Sequence, residues 1–464
     1  MKKLLRLSLI LLIVLGLLLA ASLVGFSWWV MRKMGPEIWV TQMEANTNCR
    51  MHIEEAKLSL FSKPAQLSFK GVLIAPRDAE VGKPLAERAP LSAKSVPILI
   101  PEIVLEVKLE DLLNRRLFVE KLRILSPAVT ETQDAQGKSS LEALFKKPKP
   151  EESKTSASSA LPLNELSTPP SQNSAHSPSE PASESNARFS FAVSNAVIED
   201  GSLTILSSGS TVQIRDLDFT LTGIDIDPRD LANHNRMTAK ISSQIQVTGQ
   251  ARIGGVKRPA ELANLNLSGE GSIVPIDPNT GDWMPTSVLK LTLAQGSTLA
   301  GHITMGDAAG KEMKKLMEYG IDLTPVRVGG PLQQAAVVEG IYRNNRFWLR
   351  ADTLFSFPEY DISIEKKSWI DTSQDSHEME FRLSCGPELQ DRLQKGMSQA
   401  QLGETITKGL MKALADERGR LTFDIESGGS LSDPKIKPKL DRILKNLIRG
   451  EGLNDLLQGL FKKL

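Results

Sequence analysis

Apolar and polar residues alternate with a period of two over much of the chain. Ile103, Leu105, Val107 and Leu109 alternate with Val104, Glu106 and Lys108, and Leu217, Phe219 and Leu221 alternate with Asp216, Asp218, Thr220 and Thr222. Successive side chains of a strand point to opposite faces, so each run predicts a strand with one apolar and one mostly polar face. The same pattern recurs at Leu67/Phe69, Ile245/Val247, Leu265/Leu267, Leu289/Leu291/Leu293, Ile303/Met305, Phe347/Leu349, Met379/Phe381/Leu383 and Leu421/Phe423/Ile425. Turn residues such as Glu199-Asp200-Gly201 and Pro278-Asn279-Thr280-Gly281 are read as punctuation between strands. The expected class is mainly β, an elongated and mostly antiparallel sheet.

Several stretches break the alternation. Leu7 to Met31 is a run of 25 residues without a charge, between Arg6 and Arg32, with Trp28 and Trp29 near its end. At 1.5 Å per residue it is long enough to cross a bilayer core of ~30 Å, and Lys2, Lys3 and Arg6 favour a cytoplasmic N-terminus. Apolar residues continue past the small residues Ala20, Ala21 and Ser22, which favours an uncleaved anchor over a signal peptide. Residues 146–187 contain 11 Ser and 7 Pro and no aromatic, Val or Ile, a composition unable to bury enough apolar area to order itself. Late in the chain, helical spacing appears at Leu389, Leu393, Met397, Ile406, Leu410 and Leu414, and again from Leu440 to Phe461 across a Gly450-Glu451-Gly452 interruption. A shorter helix is expected around Glu312 to Tyr319.

Charge and chemistry then narrow the function. With 56 Lys and Arg against 55 Asp and Glu the chain lacks the basic excess of a nucleic-acid binder. The two cysteines, Cys49 and Cys385, make no metal-binding pair, and read either as buried thiols or as one long-range disulfide. His52, His176, His234, His302 and His377 are scattered, and GxSxG, GxGxxG and the GxxxxGK[ST] phosphate loop are absent. Asp216, Asp218, Asp225, Asp227 and Asp230 lack the glycine and closing glutamate of a calcium loop and read as solvated carboxylates. No catalytic residue, metal or cofactor is expected. Lys435, Lys437, Lys439, Arg442, Lys445 and Arg449 together with the leucine stripe make the C-terminal segment a basic amphipathic helix. It fits packing on its own protein, with an anionic membrane surface or the open end of a β-structure as the other docking sites.

The order of features resembles the AsmA-like family of Gram-negative envelope proteins, which are related to bridge-like lipid-transfer proteins. The resemblance rests on the anchor, then Leu58 to Ser62, Gln66 to Ile74, Leu91 to Val96 and Ile103 to Asn114. It continues through Leu117 to Pro127, the Asp-x-x-Gly turn in Gln133 to Lys138, and Leu141 to Leu144. Val197 to Leu203 after the Ser/Pro linker, and Ile425 to Pro438 near the end, match the family's later motifs. It implies a curved β-groove, apolar within, that carries phospholipid between membranes, on an inner-membrane protein whose bulk is periplasmic.

The expected division is a cytoplasmic tip and anchor (1–34), an AsmA-like β module (35–145), a linker (146–187), a central β-groove (188–385), an amphipathic helix (386–418) and a C-terminal strand with a basic helix (419–464). The expected groove-lining residues are Leu217, Phe219, Leu221, Leu289, Leu291, Leu293, Leu421, Phe423 and Ile425. Phospholipids, the inner membrane through residues 7–31, and other envelope proteins are the expected partners, and nucleic acid is not. The rival reading is a non-enzymatic scaffold or assembly factor with a solid β-core and a protein partner.

Overall fold

The computed structural model describes residues 35–59, 63–108, 116–134, 138–147, 190–227, 230–253, 256–300, 304–306, 316–317, 320–371, 373–400, 404–430 and 434–439. The expected anchor, nearly all of the Ser/Pro linker and the helix beyond Lys439 lie outside these residues. Among the described residues no helix is long and apolar enough to cross a membrane.

The first half comprises α1 (Pro36–Asn46), β1 (Cys49–His52), β2 (Glu55–Ser59), β3 (Ala65–Pro76), β4 (Ile98–Lys108), β5 (Arg116–Leu125), β6 (Ala128–Thr132) and α2 (Ser140–Leu144). Four long strands follow: β7 (Ser190–Ser207), β8 (Ser210–Ile226), β9 (Asn235–Ile253) and β10 (Val256–Ile276). The second half holds β11 (Trp283–Leu293), β12 (Thr298–Leu299), β13 (Gly330–Pro331), β14 (Ala336–Arg343), β15 (Arg346–Leu349), β16 (Thr353–Ser356) and β17 (Tyr360–Ile364). It ends with β18 (Trp369–Asp371), β19 (Ser376–Cys385), α3 (Pro387–Gln399), α4 (Glu404–Leu414), β20 (Thr422–Ser430) and β21 (Pro434–Pro438).

All 21 strands among the described residues join one mixed sheet. Its pairings are antiparallel except where β5 and β6, end to end, run parallel to β7. A parallel neighbour needs a long crossover, and the Ser/Pro segment sits in sequence at that crossover, between α2 and β7. Strands of 17 to 21 residues are several times the usual length, and the alternation continues along them: β9 buries Met237, Ala239, Ser243 and Ile245 and exposes Thr238, Lys240, Ser242 and Gln244.

Three local expectations are corrected. Glu199-Asp200-Gly201 does not reverse the chain. It lies inside β7 as a bulge, with Asp200 at φ 53° and its N–H donating to Asp218 Oδ1 at 3.0 Å. Of the strand expected at Ile303/Met305, Ile303 lies outside the described residues, Thr304 makes a single bridge to Arg327, and Met305 is buried in the second core rather than paired in a ladder. The single helix expected over 386–418 is two helices, α3 and α4, with Gly403, a poor helix former, between them in sequence. The helix expected at 312–319 lies mostly outside the described residues.

Two apolar cores form on one face of the sheet. In the first, Val40 and Met43 of α1 and Leu141 and Leu144 of α2 are buried together with strand residues including Ile74, Ile98, Leu122, Ile198 and Leu221. Trp39 adds an edge-on ring contact to Phe69 at 5.2 Å. In the second, α3 (Leu389, Leu393, Met397), α4 (Leu410, Leu414) and the segment carrying Ile321, Leu323, Val326 and Leu332 cover Ala336, Tyr360, Leu383 and Phe423. Cys49 is buried in the first core and Cys385 in the second, and both are free thiols.

Candidate functional site

The nine expected lining residues divide into three groups. Leu217 and Leu221 are buried in the first core, and Phe219 packs against it. Leu421 and Phe423 are buried in the second core, and Ile425 packs against that one. Leu293 borders the second core, whereas Leu289 and Leu291 are only partly buried and belong to neither.

The interval around Leu289 and Leu291 is therefore the stretch of apolar face that neither core closes. Its floor is set by register. Ala239, Gly271, Leu289 and Gly340 stand directly opposite one another across β9, β10, β11 and β14, and Ile241, Gly269, Leu291 and Val338 form the adjacent row. A β-carbon on Gly269 would stand 2.5 Å from Leu291 Cδ2, and one on Gly340 would collide with the Phe347 ring. The glycines thus let leucine and phenylalanine side chains lie flat on the neighbouring strand, so the floor stays low and apolar.

The opposite face of β11 and β14 is mixed, with Val288 and Val337 exposed beside Lys290 and Glu339, and ion pairs run along that side of the sheet. Lys290 pairs with Glu339 at 3.4 Å, Arg382 with Asp424 at 2.9 Å, and Lys439 with Glu380 and Glu426 at 3.0 and 2.8 Å. A recess of ≈ 460 Å³ over Asp218, Lys240, Glu270 and Lys290, and one of ≈ 500 Å³ beside Arg382, Asp424 and Lys439, are lined by charges. Neither offers an apolar molecule a surface.

A few polar groups interrupt the apolar face. His377 Nε2 and Ser427 Oγ are 2.7 Å apart, buried within the sheet, and the Ser243 hydroxyl is buried without a partner among the described residues. The expected aspartates are structural: Asp218 serves the β7 bulge, and Asp225 hydrogen-bonds His234 at 2.5 Å, which raises the imidazole above its ordinary value. Burial pushes the Cys385 thiol up to about 12, against the opposing pull of Arg392 and Arg420.

Reading the sequence alone missed Gly269, Gly271, Gly340, Val338 and Phe347. The spacing Leu267-Ser268-Gly269-Glu270-Gly271 carries a usable signal, since glycine inside a strand marks a close approach, but nothing local names the approaching side chain. No family model matches the chain, and no curated protein or solved structure matches it.

Proposed function

We propose that this is a non-enzymatic, membrane-anchored protein of AsmA-like type. It holds phospholipid acyl chains along a curved apolar β-groove, as part of lipid transport or outer-membrane maintenance. The observation that supports the reading is the partly open apolar floor at Leu289 and Leu291, between two closed cores. Acyl chains gain by leaving water for such a surface, and its lack of charge gives no grip to a polar substrate. In this reading residues 7–31 hold the chain in an inner membrane with the N-terminus cytoplasmic and the β-region periplasmic. The scaffold reading draws on the opposite observation: Leu221 and Phe423 are 1% and 2% exposed, as in a solid core.

The test places a photo-crosslinking residue at 221, 289, 291 and 423 of the full chain reconstituted with phospholipid. Crosslinks to lipid at 289 and 291, and none at 221 and 423, are expected. Leu291→Glu should abolish lipid recovered with the purified protein while moving the melting midpoint by only about 3 °C. Phe423→Glu should cost about 4 kcal/mol or more and prevent folding. Absence of lipid crosslinks at all four positions would transfer the assignment to the scaffold.

A further inference from the structure

The side chains of β11 and β14 that turn away from the apolar floor begin a second row. Val288, Ile341, Trp348 and Trp369 stand directly opposite one another across β11, β14, β15 and β18. Opposite residues of a ladder share a face, and Val288 is next to Leu289 in sequence, so this row lies on the outer side of the sheet. Val288 is 38% exposed, Ile341 and both indoles are partly exposed, and the Trp348 and Trp369 rings meet at 5.9 Å between centroids.

Cations border the row on both sides. Two residues along the strands, on the same face, Arg343 stands opposite Arg346, a like-charged pair that works against the stability of its own hairpin. Arg346 is held by Asp371 at 2.9 Å and lies over the Trp369 ring at 4.6 Å, whereas Arg343 is exposed and has no carboxylate partner among the described residues. On the other side of the row the backbone pairing continues, the Arg350 N–H donating to Glu339 O and the Lys367 N–H to Leu349 O, which brings the chain at Arg350 alongside Lys366 and Lys367. These three are exposed and likewise lack a carboxylate partner among the described residues. The carboxylates nearby are engaged: Glu339 by Lys290, Glu365 by Arg382, Glu378 by the Trp369 Nε1–H and Asp352 by the Lys366 N–H.

Unpaired cations around two partly exposed indoles fit an occupant that is both anionic and apolar. At ~3.3 Å per residue, Arg343 and Arg350 flank the aromatic row about 7 Å away on either side. The same spacing separates alternate residues of an extended peptide. An acid–x–aromatic–x–acid segment laid along the strands therefore sets its carboxylates on the cations and its ring on the indoles. An anionic bilayer fits less well, because the indoles are only partly exposed and a flat surface would also press on Glu339, Asp352 and Glu378. We propose that the outer face around Trp348 and Trp369 docks an extended acidic segment of a partner protein. The inference does not depend on what occupies the apolar floor, which lies on the other side of the same strands.

The test uses the full chain in phosphatidylcholine nanodiscs and a fluorescent synthetic peptide carrying Glu-Thr-Phe-Thr-Glu. Binding with a Kd on the order of 100 µM is expected from fluorescence anisotropy. The paired change Arg343→Glu with Arg350→Glu should weaken binding about tenfold or more without lowering the melting midpoint, since neither side chain has an ion pair to lose. It should in turn accept a peptide carrying Lys-Thr-Phe-Thr-Lys. Equal binding of the glutamate peptide by parent and paired variant, or binding by neither, would overturn the proposal. Equal binding of a peptide with serine in place of phenylalanine would overturn it too, since the aromatic row would then take no part. Binding to vesicles of phosphatidylcholine with phosphatidylglycerol, but not to the peptide, would give the face to a membrane instead.

Discussion

The Leu289 side chain lies flat over Gly271: its Cδ2 stands 2.6 Å from where a Gly271 β-carbon would be, and the Val288 carbonyl oxygen is as close. Gly271→Val must therefore lift Leu289 off the sheet and press on the β11 backbone. A loss of about 1–3 kcal/mol is expected in denaturant unfolding, with a lower yield of lipid crosslinks at position 291. An unchanged unfolding midpoint would show that the strands can separate at this point without cost.

Two ion pairs should respond differently to truncation. Arg88 and Glu44 are 8% and 4% exposed and 2.8 Å apart, and Glu44 also accepts from the Met51 N–H. Arg88→Ala leaves a buried carboxylate without its cation and should cost about 3–5 kcal/mol. Arg123 and Glu199 pair across β5 and β7 where both side chains are more than a third exposed, so Arg123→Ala should leave the midpoint nearly unchanged. Equal effects from both variants, measured by urea unfolding, would refute the ranking.

Asp371 gives the fold an acid limit. Burial alone would raise its pKa, but Arg346, the Ser373 hydroxyl and the N–H groups of Ser373 and Gln374 outweigh it and hold the carboxyl down to about 2, from 3.8. The folded state thus binds this proton less readily than the unfolded state. The contribution is fully present above pH ~5 and is lost as pH falls through ~4 towards ~2, in total about 2 kcal/mol. Asp371→Asn should flatten the parent's stability profile over that window. The two profiles remaining parallel would exclude the carboxylate as the cause.

The Ser/Pro segment should tolerate shortening but not complete removal. Thr132 of β6 is level with Leu206, whereas β7 begins at Ser190 beside Arg116, so the chain must return 16 residues along the sheet, about 50 Å. At no more than ~3.6 Å per residue that return needs about 15 residues. Cutting 148–187 to about 20 residues should preserve the melting curve, and cutting it to five should destroy the β5–β7 pairing. Cooperative melting of the five-residue version would disprove the parallel register.

The period-two pattern by itself determined the mainly β class, most strand positions and the apolar side of each strand, because side-chain direction along an extended chain is a local property. It also placed the turn at Pro278 to Gly281, where β10 and β11 meet as a hairpin. It could not rank the three candidate triplets. Leu217/Phe219/Leu221, Leu289/Leu291/Leu293 and Leu421/Phe423/Ile425 read alike, yet the first lies in the core that α1 and α2 join, the last in the core that α3 and α4 join, and Leu289 and Leu291 lie in neither. The bulge at Asp200-Gly201 and the parallel pairing of β5 and β6 with β7 were likewise invisible, since each depends on a partner distant in sequence. Which apolar face is closed depends on where helices and loops from other parts of the chain come to rest. Only the tertiary structure, which brings Gly271 and Gly340 against Leu289 and Phe347, decides where that face stays partly open.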